Sequence, residues 1–290
     1  MVMRTKTREH ATALVFILPA FTVYLVFWIY PFIYVLYLSF HQWHLGLGRP
    51  NFVGFQQYVS LMANNDFQNS LKNTFLYMIM TVPLFIVVAL ALAILVNRKI
   101  KGIGVFRVAY YLPVVTSLVA VGVIWTWLYD VDYGLLNFLL GKVGIPQQLW
   151  LSDTRTALPS IVVVQVWQYV GFYMIIYLAG LQNIPQIYYE VARMDGAGWW
   201  AQFRFITLPS LSEVSFLILI VAAVQSWRMF ALVHVMTEGG PLKSTELILN
   251  YLYSRAFESF QIGYSSSIAI VMFVILLSLT LIQWKMHRRL

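Results

Sequence analysis

Six runs of the sequence stay apolar long enough to cross a lipid bilayer, a distance that takes about 20 residues at ~1.5 Å of rise each. They cover approximately residues 11–40, 74–96, 108–129, 158–181, 214–236 and 265–284, and the segments between them are short. The pattern predicts an all-α membrane protein with six transmembrane helices, organised as one domain over residues 1–290. No low-complexity tract or convincing internal repeat is present, and no segment leaves room for a soluble catalytic domain. The first run is too long for a secretory signal and lacks a small-residue cleavage site, so it is expected to be retained. Pro19 and Pro31 predict a kink within it.

Composition agrees: 60% of the residues are hydrophobic and only 10% charged, so lipid is the solvent for most of the chain. Cysteine is absent, which removes disulfides, thiolate metal sites and a cysteine nucleophile. Lys and Arg are distributed unevenly. Arg4, Lys6, Arg8, Arg98, Lys99, Lys101, Arg107, Arg193, Arg204, Lys285, Arg288 and Arg289 flank one side of the predicted spans. Arg49, Lys72, Lys142, Arg155, Lys243 and Arg255 flank the other. Because cationic flanks stay in the cytoplasm, both termini are expected there. The net charge of +8 then reflects cytoplasmic loops and contact with lipid head groups, and nucleic acid is not an expected partner.

The eleven carboxylates all fall in tails, loops or helix ends. The alternative class is an ion-coupled carrier or channel; ion coupling commonly needs an ionisable or oxygen-rich site near the midplane, so this class is disfavoured, although backbone carbonyls at broken helices also bind sodium. An intramembrane enzyme has five imidazoles to draw on, His10, His41, His44, His234 and His287. Only His41 and His44 are close in sequence, and no third ligand or nucleophile accompanies them. No metal site and no catalytic residue is predicted.

Arg228 is the exception, in the outer part of the fifth run beside Gln225 and Trp227. One reading is contact with a polar or anionic solute; the other is an arginine that snorkels or pairs near the outer surface. The fourth run carries Gln165, Trp167, Gln168, Tyr169 and Gly171. Amides and flat aromatic faces suit a sugar, and the same amides serve as interhelical glue. Gln165, Gln168, Tyr169, Gln225, Trp227 and Arg228 are the candidate solute-path residues.

Between the fourth and fifth runs, residues 184–209 read as helix, sharp turn, helix. Pro185 suits a first helical turn, and Ile187, Val191 and Met194 recur at helical spacing to form one apolar face. Asp195 is expected to cap the second helix, and Gly196 to adopt dihedrals denied to other residues. The small residues Ala192, Gly196, Ala197 and Gly198 would let another protein approach the backbone closely.

This segment resembles the cytoplasmic loop of permease subunits of ATP-binding-cassette importers, written E-A-A, three residues, G. Glu190, Ala192, Asp195, Gly196, Ala197, Phe203, Leu208 and Pro209 match the form found in the carbohydrate-uptake branch, and Val191 replaces the first alanine. The rest of the chain is similar to the family in order: Leu18-Pro19-Ala20 and Tyr30-Pro31; Phe52-Val53-Gly54-Phe55 and Asn73-Thr74; Leu112-Pro113, Gly134 and Asn137; Gly239-Gly240-Pro241, Thr245, Tyr251 and Gly263. It looks most like the maltose system's larger permease or the glycerol-phosphate importer's first one, without the former's extra helices and outer domain.

The resemblance implies a multi-pass subunit of a bacterial-type inner membrane that pairs with a second homologous permease and two ATPase subunits. An extracytoplasmic binding protein would deliver a di- or oligosaccharide; a sugar acid or glycerol phosphate is the alternative cargo. It also implies that the loop is a coupling helix, with Glu190, Ala192, Asp195, Gly196, Ala197, Phe203 and Pro209 at the ATPase contact. ATP and Mg would be held by those partners and no cofactor by this chain. Gly240-Pro241-Leu242-Lys243-Ser244-Thr245 has a superficial likeness to a phosphate-binding loop, but charge counting puts it outside the cell.

Overall fold

The computed structural model describes residues 16–98 and 101–287. Arg4, Lys6, Arg8, His10, Lys99, Arg288 and Arg289, with the start of the first run, lie outside the described residues. The helices, in chain order, are α1 (Phe16–Leu38), α2 (Gln56–Ala63), α3 (Asn65–Val96), α4 (Ile103–Tyr111), α5 (Leu118–Leu128), α6 (Leu135–Lys142), α7 (Ala157–Asn183), α8 (Gln186–Met194), α9 (Trp199–Ser210), α10 (Ser212–Trp227), α11 (Ala231–Met236), α12 (Ile248–Tyr253) and α13 (Ile262–His287). An antiparallel hairpin of β1 (His41–His44) and β2 (Leu47–Phe52) follows α1, pairing His41 with Phe52 and Gln42 with Asn51. It corrects the all-α expectation: strands this short are invisible to a 20-residue hydropathy window. Among the described residues, four helices are long and apolar enough to cross a membrane, or up to six if each of two bent pairs is one span.

The chain divides into two compact units. One holds residues up to 64 together with 252–275. In α1 a π-helical turn, Leu25–Ile29, precedes Pro31. Proline has no N–H and its ring crowds the carbonyl four residues back, so the widened turn absorbs what a regular helix could not. The expected kink is thus a π turn inside a continuous helix. The hairpin is held within this unit: Leu45 N–H donates to the Phe260 carbonyl at 2.9 Å, and the Tyr58 hydroxyl to Ser39 Oγ at 2.7 Å. His41 Nδ1 lies 2.7 Å from the Tyr37 carbonyl.

The other unit holds residues 65–251 and 276–290. Its core runs between α3, α7 and α10, where Phe85, Ala89 and Ala93 meet Tyr173, Met174, Tyr177, Ile218 and Ala222. A second cluster joins Tyr77, Val121, Leu158, Ile161, Leu232 and Val233. Lipid is as apolar as leucine, so such contacts stabilise through close packing rather than through removal from water, and small residues set how near the backbones come. At Gly171 of α7 a Cβ would lie 2.0 Å from the Tyr110 carbonyl oxygen, so only glycine permits α4 to cross there.

Two predicted spans are corrected. The run 108–129 is not one helix: a 3-10 turn, Leu112–Val115, ends α4, Thr116 and Ser117 are extended, and α5 leaves at 99° to the first limb. Pro113 starts that turn, and the Thr116 hydroxyl donates to the Pro113 carbonyl at 2.6 Å. The run 214–236 is interrupted as well, at Arg228–Phe230 between α10 and α11. Upstream, α9 and α10 meet at a 62° bend after Pro209.

Candidate functional site

Residues 184–209 fold as the sequence predicts, with one change of detail. Pro185 precedes α8 as its N-cap residue. At the far end the Gly196 N–H donates to the Arg193 carbonyl (3.1 Å) and the Ala197 N–H to the Ala192 carbonyl (2.8 Å). This is a Schellman closure, which requires a left-handed residue at its turn, and Gly196 supplies φ +79°. Asp195 is the last residue before that turn and does not cap the second helix; Gly198 occupies the N-cap position of α9, which corrects the expected role of Asp195. Fixed by the closure, Asp195 belongs to the end of the first helix, too early to reach the donors of the second.

Side chains lock the two helices together. The Tyr189 hydroxyl and Thr207 Oγ1 are 2.9 Å apart, and Gln202 Nε2 donates to the Ala197 carbonyl at 2.7 Å. Phe203 stacks on Trp199 at 5.6 Å with rings nearly parallel, inside a π-helical turn, Phe203–Thr207. Inward positions of the loop are thereby satisfied; outward ones are bare. Ile187, Val191 and Met194 form the expected stripe and all are exposed, Met194 at 79%, as are Trp199 and Trp200 at the start of α9. Glu190, Asp195 and Pro209 are exposed, and Ala192 and Ala197 half-buried. A Cβ on Gly196 or Gly198 would meet nothing of this chain within 4 Å. The chain's own packing therefore gives no steric reason for small residues there.

The six candidate solute-path residues separate into distinct environments. Gln165 and Gln168 are buried in α7, and Gln168 Nε2 donates to the Thr116 carbonyl at 3.3 Å, where the break between α4 and α5 leaves it without a helical partner. Both Gln165 Oε1 and Gln168 Oε1 lack a partner within the described residues. Tyr169, next in sequence, is half-buried. Gln225 and Arg228 are exposed at the end of α10. Arg228 is not inside a continuous span: it is the C-cap residue, where a cation suits the helix dipole. Trp227 is fully buried, its indole N–H 3.3 Å from Met78 Sδ and its ring edge-on to Phe75, so its polar edge is turned into the protein.

The sequence likeness to a phosphate loop at 240–245 has another basis. Asn69 and Asn73 donate to the Lys243 carbonyl at 2.8 and 2.9 Å, Asn73 also to the Glu246 carbonyl at 3.2 Å, and Thr74 Oγ1 accepts from the Ile248 N–H at 2.9 Å. Lys243 pairs with Asp66 at 2.6 Å. Asn73-Thr74, whose sequence carries no signal of this task, brace the loop. Asn137 is similar: its amide donates to the Val131 and Gln148 carbonyls and accepts from the Gln148 N–H and the Trp150 indole.

Residues 59–290 match the family model described as binding-protein-dependent transport system inner membrane component. The chain is 35% identical over 94% of its length, and 94% of the relative's, to the probable ABC transporter permease protein YurN of Bacillus subtilis. It is 32% identical to the trehalose/maltose transport system permease protein MalF of Thermococcus litoralis, covering 99% and 97% of the two chains. Its fold is similar, with a TM-score of 0.85 at 21% identity over 100% and 99% of the chains, to a bacterial ABC transporter involved in the import of the acidic polysaccharide alginate.

Proposed function

The chain belongs to the binding-protein-dependent transport system inner membrane components, and from that premise we propose that it is one half of the membrane pathway of an ATP-binding-cassette sugar importer. The finer reading is a heterodimer with a second permease, carrying a di- or oligosaccharide received from an extracytoplasmic binding protein. Two ATPase subunits would hold ATP and Mg. Six spans, with α4 and α5 counted as one, α10 taken as the fifth and both termini cytoplasmic, put α8 and α9 on the cytoplasmic side. The sugar assignment is supported by the trehalose/maltose relative.

One observation carries the coupling role: an internally braced helix–turn–helix that leaves an apolar stripe and two tryptophans bare while its glycines face open space. Exposed apolar surface of this kind marks a contact with another protein. A rigid elbow transmits the closing motion of the ATPase pair; a floppy one would dissipate it. Glu190, Ala192, Asp195, Gly196, Ala197, Phe203 and Pro209 would lie in or just behind that contact. The solute would pass Gln165, Gln168 and Tyr169 when the spare amide oxygens of α7 become accessible.

The complex purified with its native partners, screened for sugars that stimulate ATP hydrolysis, tests this reading. Stimulation by an oligosaccharide with the binding protein present is expected. Uphill uptake by the reconstituted chain alone, or labelling from outside of a single cysteine placed at Val191 in this cysteine-free chain, would overturn it. The exposure of Arg228 favours a second cargo, a sugar acid or glycerol phosphate. If that holds, Arg228→Ala loses stimulation by the anionic solute and keeps that by neutral sugars.

A further inference from the structure

Behind the coupling elbow, on a different face of α8 from its bare stripe, lies a cavity of about 670 Å³. Arg98 at the end of α3, Arg107 of α4 and Arg193 of α8 line it, with Asn97, Gln186 and Tyr189 among the other wall residues. No carboxylate lines it: Glu190 and Asp195 belong to the same loop but not to this wall. Among the described residues no acidic group lies within ion-pair distance of any of the three arginines. Arg107 gives Nε and Nη2 to the Val96 carbonyl (3.3 and 2.9 Å), and Arg193 gives Nε to the Tyr189 carbonyl (3.2 Å). These bonds orient two guanidinium groups and leave further N–H donors over, while Arg98 makes no hydrogen bond among the described residues.

Three cations sharing one concave space repel unless an anion joins them. The sequence explains them as markers of orientation, which requires basic residues on this side but not their convergence on one cavity. The carbonyl bonds of Arg107 and Arg193 use only part of their donors, and Arg98 makes none among the described residues. We infer that this cavity binds a phosphate-bearing anion, whose several oxygens can engage guanidinium groups from three elements at once, as the two of a carboxylate cannot. The volume exceeds that of inorganic phosphate and leaves room for an organic moiety, either the head group of an anionic lipid or a soluble phosphate ester. Bound there, the anion ties α8 to the ends of α3 and α4 and stiffens the elbow from behind. The site itself stands on the cavity; only its access from the cytoplasm rests on the orientation proposed above.

The test uses the full chain in phosphatidylcholine nanodiscs, with phosphatidylglycerol retention read by native mass spectrometry and radiolabelled inorganic phosphate by equilibrium dialysis. Retention of phosphatidylglycerol assigns the lipid source; phosphate binding assigns the soluble one. For whichever probe binds, the double variant Arg98→Gln, Arg193→Gln is expected to weaken it on the order of tenfold or more, and Arg98→Gln alone by a smaller factor. Arg204→Gln, an exposed arginine of the same loop outside the cavity, is expected to leave binding unchanged. Equal binding by wild type and the Arg98→Gln chain, equal loss in the Arg204→Gln chain, or binding of neither probe overturns the inference. None of these readouts involves an ATPase or a sugar, so the importer assignment could fail without touching them.

Discussion

Two loops of the same unit are built from similar ingredients and treated in opposite ways. Residues 184–209 and 237–248 both combine glycine, proline and an exposed apolar side chain, Met194 in one and Leu242 in the other. The second loop is held from outside itself as well as within: amides of α3 donate to its carbonyls, and inside the loop Thr245 Oγ1 donates to the Gly240 carbonyl at 2.7 Å. Hydrogen bonds between its own residues brace the first, Tyr189, Phe203, Ile206 and Leu208 seat it on the core, and its outward face has no cover among the described residues. A loop saturated by its own fold is a structural fixture; one braced internally and bare externally is shaped for a surface the chain does not contain.

That contrast is broken most directly by charging the bare stripe. Val191→Asp with Met194→Asp is expected to reduce retention of the ATPase subunits by about thirtyfold or more while leaving the unfolding midpoint of the isolated chain unchanged. Pull-down and thermal unfolding on one preparation measure both. In the braced loop the expectation inverts. Asn73→Ala takes the amide donor from the Glu246 carbonyl and leaves the Lys243 carbonyl to Asn69 alone, and is expected to cost about 1–3 kcal/mol of stability, seen as a lowered unfolding midpoint.

Gly196→Val lies between these cases. A branched side chain in the left-handed region costs roughly 1–2 kcal/mol locally, and because nothing in the chain crowds the site, the larger expected effect is ATP hydrolysis without uptake. The smallest change is Lys243→Met, which removes a solvent-screened bridge with both partners over a third exposed. Less than about 1 kcal/mol is expected in denaturant titration. A larger loss there than for Asn73→Ala would mean that charge, not the asparagine amides, fixes the loop.

The long apolar helices and the elbow were legible because each has a signal of its own kind. Runs of apolar residues mark α3, α7 and α13, and Pro185, the 3.6-residue stripe and Gly196 mark the turn. What escaped depends on backbone bonds that hydropathy does not weigh. Residues 108–129 and 214–236 carry no Asp, Glu, Lys or Arg apart from Arg228, so they read as rods, although Leu112-Pro113 followed by Thr116-Ser117 held the stop signal for α4. Trp227 shared a local neighbourhood with Gln225 and Arg228, yet the helical rotation of 100° per residue turns it into the core while they face out. In the sequence Arg98, Arg107 and Arg193 are separate topology markers. Only the approach of three separate elements makes them neighbours, and nothing in their sequence spacing announces it.

The missing side chain at position 171 has mechanical meaning. With the Tyr110 oxygen seated where a methyl group would stand, α7 and α4 interlock at their backbones, so neither can slide lengthwise past the other without lifting apart. Swivelling about that point is the motion such a joint leaves open.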